Sequence, residues 1–442
     1  MPVVAAVLLA WGRILRRPVD VRLKQRHVGP SAVVLLCSAV YLTWDRCRPG
    51  GFAATYFYGE LAGVLGICLL SCSLLLATRA RWMERWFGGL DRVYLWHKRT
   101  AIAAVPLLLP HALITGRPPH TTPSRFGLAL GVASMVGLLG LIVISLPRIG
   151  RLLHVSYERW LFVHRLTGLF VVLGVLHGLT VDRVIATSRP LWIFFASIGA
   201  LGTLSYAYAE ILMRRREPSA PYTIARVDRP SPQVVELGLS PVADPILPTA
   251  GQFVYLRIGG DGAWREHPFS VAGTEPVGRL RLTVTANGPD TRLMHTALRP
   301  GMPATISGPY GMFDYTLGSP DQLWIAGGIG VAPFLSWLHA LSPSDRYSVD
   351  LFYSVPTERQ AIYLPELEAA GARLPGLRVH PVFSRTQGRL NGKAITAAIG
   401  PLPPGTDVFL CGPGGMLRTL NRDLHRQGVP RDHIHFEHFA FR

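Results

Sequence analysis

The stretches that decide the fold are WHKRTAIAAVPLLLPH (residues 96–111) and HRLTGLFVVLGVLH (residues 164–177). Each lies within a longer apolar segment and carries a histidine at or near both ends. His97 and His111 are fourteen residues apart, and His164 and His177 are thirteen apart. At about 1.5 Å rise per residue, these spacings set the two histidines of each helix roughly 20 Å apart along its axis. That distance fits within a hydrocarbon core about 30 Å thick. Ligating side chains inside a bilayer are costly and mark function. A lone histidine on an apolar helix reads as a satisfied core residue. Two pairs at nearly equal spacing read instead as two bis-histidine haem sites stacked across a membrane, with His97, His111, His164 and His177 as iron ligands. His154, among Arg148, Arg151 and Arg159, has no counterpart at matching depth and is left out.

Helical phase adds an expectation. Fourteen residues return to within roughly 40° of the starting face, whereas thirteen miss it by about 140°. The second helix is therefore expected to tilt, to carry a local π-type turn, or to hold differently oriented haems. Gly168 and Gly174 there, and Pro106 and Pro110 in the first helix, are the places for distortion.

The chain has 442 residues, 49% hydrophobic, with a formal charge of +18. Apolar residues crowd into the first half, and the second half has the polarity of a water-soluble protein. The positive charge sits in short loops beside apolar helices, with no long Lys/Arg tract and no interleaved aromatic pattern, which argues against a nucleic-acid partner. Cys37, Cys47, Cys68, Cys72 and Cys411 form neither a metal-ligand spacing nor a disulfide framework. Cys68 and Cys72, one helical turn apart in an apolar segment, read as packing residues.

Met1 to Trp11 is too short to span and lacks a basic start, so residues 1–28 read as an interfacial segment. Six spans are expected near 30–45, 55–78, 94–115, 126–147, 158–181 and 190–213. Eighteen basic residues, among them Arg13, Arg79, Arg148 and Arg214, fall on one side of these spans and six, including Arg46 and Arg125, on the other. The cation-rich side is cytoplasmic by the positive-inside rule, so a multi-pass cell-membrane protein with both termini cytoplasmic is expected. The third and fifth spans then run parallel, which pairs His97 with His164 near the inner face and His111 with His177 near the outer. Lys98, Arg99 and Arg165 flank the inner pair, either to meet haem propionates or to snorkel. Glu60 is an intramembrane carboxylate with no partner legible in the sequence.

Arg214-Arg215-Arg216-Glu217-Pro218-Ser219 marks a boundary. Beyond it, Tyr222–Val227, Val234–Leu239, Phe253–Ile258 and Leu280–Ala286 alternate as antiparallel barrel strands do. Among them stand His267-Pro268-Phe269-Ser270, Gly288-Pro289-Asp290-Thr291 and Gly308-Pro309-Tyr310-Gly311. From Leu323 strands alternate with helices, the pattern of a parallel sheet. Leu323-Trp324-Ile325-Ala326 runs into Gly327-Gly328-Ile329-Gly330-Val331-Ala332-Pro333, a strand–turn–helix join suited to phosphate at a helix N-terminus. Strands follow at Val349–Ser354, Val379–Ser384 and Asp407–Leu410, the last ending in Cys411-Gly412-Pro413.

In this order of motifs the second half resembles the ferredoxin–NADP reductase superfamily. The first half resembles the ferric reductase transmembrane domain, and the fourteen and thirteen spacings joined to this dehydrogenase resemble the NADPH oxidase branch. The resemblance implies an α-helical six-span membrane bundle (29–216), a FAD-binding antiparallel β-barrel (217–318) and an α/β NADP-binding domain (319–442). It implies that His267, Pro268, Phe269 and Ser270 hold the flavin, with Gly288 and Thr291 near its pyrophosphate. Gly327, Gly328, Gly330 and Pro333 would receive the NADPH pyrophosphate. Cys411, Gly412 and Pro413 would approach the nicotinamide, with Cys411 as a catalytic residue. Phe439 would cover the flavin, with Phe441 as the alternative. Ser384 and Arg385 suit a 2′-phosphate, favouring NADPH over NADH.

The implied function is an oxidoreductase moving electrons from cytosolic NADPH through FAD and two b-type haems to O2 on the outer face, giving superoxide. A ferric-chelate reductase and an electron donor to an outer-face protein are the alternatives. The expected partners are a small-molecule acceptor and membrane lipid, with no obligatory regulatory subunit evident.

Overall fold

The computed structural model describes residues 27–48, 50–115, 124–146, 149, 152, 157–212, 219–259 and 266–437. The chain divides into two compact units, Met1–Arg216 and Glu217–Arg442.

The first unit is helical: α1 (Val28–Arg46), α2 (Ala54–Leu76), α3 (Arg81–Phe87), α4 (Leu90–Thr115), α5 (Arg125–Ser145), α6 (Tyr157–Val181), α7 (Arg183–Thr187) and α8 (Arg189–Ala207). Among the described residues five helices, α1, α2, α5, α6 and α8, are long and apolar enough to cross a membrane. The expected sixth span, near 94–115, is α4. It is a continuous helix of 26 residues, but Asp91, Arg92, Lys98 and Arg99 at one end and Pro106, Pro110 and His111 beyond them dilute its apolar character.

α2 is the central helix: 83% of its apolar window is buried, against 17–33% for the other four. It packs on α4, α8, α1 and α6, while α5 packs on α6. α4 and α6 approach each other closely at few backbone positions, while α2 and α6 bring the α2–α4 and α5–α6 pairs into contact. Phe126, Val136, Phe162 and Leu204 stay exposed on the outside, as a lipid-facing surface requires.

α6 is an uninterrupted α-helix, so of the three expected outcomes the π-type turn is not found in it. The π-type turn lies elsewhere, at Tyr208–Leu212. Gly168 lies under the Tyr206 ring, and Gly174 faces Ile67 and Ser134, so both let helices approach rather than bend. The segment Met1 to Trp11, His154 and Arg214 to Arg216 lie outside the described residues.

The second unit begins with a closed antiparallel barrel of β1 (Ser219–Ser231), β2 (Val234–Pro241), β3 (Phe253–Ile258), β4 (His267–Glu275), β5 (Arg279–Thr285) and β6 (Pro303–Tyr310), ordered β1-β2-β5-β4-β3-β6. Alternation along each strand sends Ile224, Leu237, Val254, Leu256 and Leu282 into its core, and α9 (Pro289–Ala297) follows β5.

A parallel sheet follows, built from β7 (Asp321–Gly327), β8 (Ser348–Val355), β9 (Leu377–Phe383), β10 (Asp407–Cys411) and β11 (Ile434–Glu437) in the order β11-β10-β7-β8-β9. β11 was not expected from the sequence: its four residues are too few to carry a period. The helices are α10 (Ala332–Ala340), α11 (Leu364–Arg373), α12 (Gly392–Ile399) and α13 (Gly414–Arg426). Trp324, Phe334, Trp337 and Phe409 fill the core on one face of the sheet.

An ionic cluster ties barrel to sheet layer. Arg281 on β5 bonds Glu366 of α11 at 2.7 and 2.8 Å and Glu236 of β2 at 2.9 Å. His339 of α10 meets Glu366 at 3.0 Å, and Tyr363 donates to Glu236 at 3.3 Å.

Candidate functional site

α4 carries His97 and His111, and α6 carries His164 and His177. The bundle brings them into two pairs across the α4–α6 gap. The rings of His97 and His164 have centroids 6.1 Å apart and planes at 84°. Those of His111 and His177 are 6.2 Å apart, with planes at 77°. With imidazole-nitrogen–metal bonds of about 2.0–2.1 Å, a metal shared by two imidazoles sets their centroids roughly 6 Å apart. Each pair therefore has the spacing to hold one metal ion.

Three of the rings are anchored through Nδ1. His97 bonds the Ser73 carbonyl at 2.9 Å, His111 the Gly59 carbonyl at 3.2 Å and His177 the Gly127 carbonyl at 2.9 Å. A carbonyl only accepts, so Nδ1 carries the proton and Nε2 keeps its lone pair, the tautomer a metal requires. His164 stacks on Trp160, one turn earlier on α6, at 4.8 Å and 17°. The thirteen-residue spacing is absorbed here without bending the helix. The two rings leave α6 on different flanks, one lying along Trp160 and the other reaching Gly127 of α5.

Glu60 has partners that the sequence did not reveal. It is 6% exposed, its Oε2 lies 3.6 Å from His111 Nδ1, and Tyr56 and Asp182 are its near neighbours. Among the flanking cations, Arg99 sits over the Trp96 ring and Arg165 pairs with Glu210 at 3.8 Å. Lys98 is exposed. All five cysteines are free thiols. Among the described residues no group of three or more His, Cys, Asp or Glu gathers to bind a metal, so each paired centre offers two protein ligands.

In the barrel, His267, Pro268, Phe269 and Ser270 open β4. Nε2 of His267 meets Asp290 Oδ2 at 3.0 Å, which draws the start of β4 to the N-terminus of α9. There Thr291 Oγ1 accepts from the N–H of Gly288 at 2.9 Å and of Asn287 at 3.1 Å. Phe269 packs on the barrel core, and Ser270 is buried opposite Phe253. Tyr255, paired with Pro268, and Tyr310 join Phe253 in an aromatic cluster with centroids 5.5–5.9 Å apart. Both tyrosines were missed in the sequence, although each stands inside a quoted motif or strand.

At the carboxyl ends of the parallel strands, the glycine turn after β7 meets the Cys411-Gly412-Pro413 turn after β10. A Cβ on Gly412 would stand 2.9 Å from Gly327 Cα, and one on Gly330 would stand 2.6 Å from the Cys411 carbonyl carbon. Gly328 has φ +56° with open space beside it, and Pro333 stands in the first turn of α10. Ser384 and Arg385 follow β9 at the same end of the sheet, their N–H groups bonded to the Val355 and Pro356 carbonyls at 2.9 and 3.0 Å. Such a strand-end crevice is where open α/β sheets bind nucleotides. Cys411 is fully buried. Burial, then the Glu437 carboxylate, pushes its thiol well above the ordinary value, which favours the protonated form. Phe439 and Phe441 lie outside the described residues.

Residues 62–175 match the family of ferric reductase-like transmembrane components, and residues 324–422 match the oxidoreductase NAD-binding domain. Ferredoxin–NADP reductase B of Sorangium cellulosum is 30% identical over 208 residues, 43% of this chain and 84% of the relative. The carnitine monooxygenase reductase subunit of Escherichia coli is 30% identical over 161 residues, 36% of this chain and 48% of the relative. The chain thus spans about half the length of that reductase subunit. A flavohemoglobin from Malassezia yamatoensis is similar in fold, with TM-score 0.52 and 17% identity over 88% of this chain and all of the other. By fold the chain joins a ferric reductase-like transmembrane component to an oxidoreductase NAD-binding module. Through its second half the chain belongs to the ferredoxin–NADP reductase family, and its first half matches the ferric reductase-like transmembrane components.

Proposed function

We propose that the protein is a transmembrane flavocytochrome b that passes electrons from cytosolic NADPH through FAD and two haems to O2 on the outer face, releasing superoxide. The observation that carries this reading is the pair of imidazole–imidazole gaps, 6.1 and 6.2 Å, stacked between α4 and α6. Two neutral imidazole ligands per centre suit an iron porphyrin, which brings four nitrogens of its own. Bound haem would supply one-electron chemistry, and bound FAD the conversion of a hydride into single electrons.

The chain's own residues bind and orient. His97 and His164 would hold the inner haem, and His111 and His177 the outer, with the basic loops setting inner and outer. The backbone carbonyls of Ser73, Gly59 and Gly127 keep the Nε2 lone pairs of His97, His111 and His177 free for metal. His267 to Ser270, Gly288 and Thr291 would seat FAD. Gly327, Gly328, Gly330 and Pro333 would take the NADPH pyrophosphate at the α10 N-terminus, with Gly412 and Pro413 beside the nicotinamide. With His111 and His177 both holding the outer haem, the acceptor would take its electron at the edge of that site rather than bind the metal. A small molecule suits that edge.

The test is cytochrome c reduction by the purified protein with NADPH, with and without superoxide dismutase. Dismutase-sensitive reduction is expected, and His111→Ala should lose it while NADPH still bleaches the flavin. Equal outer-face activity in His111→Ala would contradict the wire. Dismutase-insensitive activity, with ferrozine-detected Fe²⁺ under nitrogen, would make ferric chelate the acceptor instead. Activity only on adding an outer-face protein fraction would make the acceptor a protein.

A further inference from the structure

The two helix pairs that flank the α4–α6 gap repeat one device. In α2, Gly59 and Gly63 are four residues apart; in α5, Gly127 and Gly131 are four apart. The first glycine of each pair offers its carbonyl to a histidine Nδ1: Gly59 to His111 at 3.2 Å and Gly127 to His177 at 2.9 Å. The second faces the same ring. A Cβ on Gly63 would stand 2.6 Å from His111 Nδ1 and 2.9 Å from its Cγ and Cε1. A Cβ on Gly131 would stand 2.6 Å from His177 Nδ1, 2.7 Å from Cε1 and 2.9 Å from Cγ. The first glycines are also crowded by the residues after each histidine. A Cβ on Gly59 would meet Thr115 Cγ2 at 2.9 Å, and one on Gly127 would meet Thr180 Oγ1 at 2.7 Å.

Small residues four apart also let helices pack closely without any tie to a ligand. That explanation covers Gly66, where a Cβ would meet the end of the Leu108 side chain at 2.7 Å. A leucine methyl can turn away. An imidazole held by Nδ1 and facing a metal through Nε2 has no such freedom: pushing its ring either breaks the carbonyl bond or turns the ring plane. Hydrogen-bond partners of this kind orient metal-bound histidines and tune the metal.

We propose that Gly63 and Gly131 are positioning residues for His111 and His177: each leaves the space in which the imidazole lies while the carbonyl four residues earlier, of Gly59 or Gly127, fixes its tautomer and ring plane. This rests on the haem reading above. The two helix pairs thereby present their imidazoles to one centre with planes 77° apart.

The experiment uses the full-length protein in detergent. It measures haem content and the low-temperature electron paramagnetic resonance spectrum of the oxidised form, where nearly perpendicular imidazole planes give a strongly anisotropic low-spin signal. His111→Ala identifies the outer centre's signal by removing it. The wild type is expected to show the anisotropic signal at that centre. Gly63→Ala and Gly131→Ala are each expected to shift that signal, or to lose it alone, with the inner signal unmoved. Gly66→Ala is expected to leave both unchanged. A wild-type outer signal of the parallel-plane type overturns the inference without any variant. So do Gly63→Ala and Gly131→Ala spectra that superimpose on the wild type, or a Gly66→Ala shift of equal size. A wild-type protein with flavin and no porphyrin overturns the haem reading itself, a distinct result.

Discussion

At Glu366 a half-buried carboxylate receives Arg281 through two hydrogen bonds and His339 through a third contact. Burial alone would raise its pKa, but the bonds from His339 and Arg281 outweigh it and hold the group at about 2, below its ordinary 4.5. A carboxyl depressed in the folded state adds stability that is complete above about 4.5 and lost as pH falls through about 2. The term is on the order of 2 kcal/mol. Glu366→Gln should lower the melting temperature of the second unit at neutral pH by roughly 4–8 °C and flatten its fall between pH 4.5 and 2. Melting curves at stepped pH check this, and an unchanged acid limb would contradict it.

Arg385 is the side chain we propose to govern cofactor choice. Its backbone N–H is fixed to the Pro356 carbonyl, while its side chain is exposed at the carboxyl end of the sheet. A hydrogen bond to a charged group is worth about 1.5–3 kcal/mol. Arg385→Ala should therefore raise the KM for NADPH about 10- to 100-fold and leave that for NADH unchanged; parallel steady-state kinetics with both nucleotides decide it.

At this scale the pairing of the four histidines was legible because imidazoles stand out in apolar helices. Their anchors were not, since a backbone carbonyl has no residue identity. Glu60 could not be matched to His111 and Asp182 either, because those contacts join segments far apart in the chain.

Among the elements, the strand–turn–helix join after β7 is the most constrained. Gly330 lies against the backbone of the Cys411 turn, which cannot move aside as a side chain does. Gly330→Ala should separate the two turns and cut NADPH-dependent flavin reduction at least tenfold in kcat/KM, while dithionite still reduces the protein. Stopped-flow flavin bleaching measures it, and a wild-type rate would refute the close-packing account.

The barrel and the parallel sheet were legible from alternation and glycine turns. α6 was legible as a helix but not in its geometry. Its phase error left a tilt, a π-type turn or differently oriented haems as expectations; the helix carries no π-type turn, and its two imidazoles have different neighbours, Trp160 and the Gly127 carbonyl. α4 was expected as a span near 94–115, yet it falls short of the other five helices in apolar character because its charged end, prolines and histidine interrupt the apolar run.

For the whole molecule, the order of parts carries the argument: a histidine-bearing bundle, then a barrel, then a nucleotide-binding sheet. Each half alone fits several activities, and the proposal takes the electron donor and the membrane path from their fusion in one chain. That order is plain in the sequence, because motif succession survives where individual contacts cannot be read.

The central claim, that four imidazoles hold two iron porphyrins in series, is tested most directly by the anaerobic spectrum of the purified chain before and after NADPH. The proposal predicts bis-imidazole b-type bands with two haems per chain, reduced by NADPH through the flavin. A preparation that bleaches its flavin with NADPH yet contains no porphyrin would contradict it.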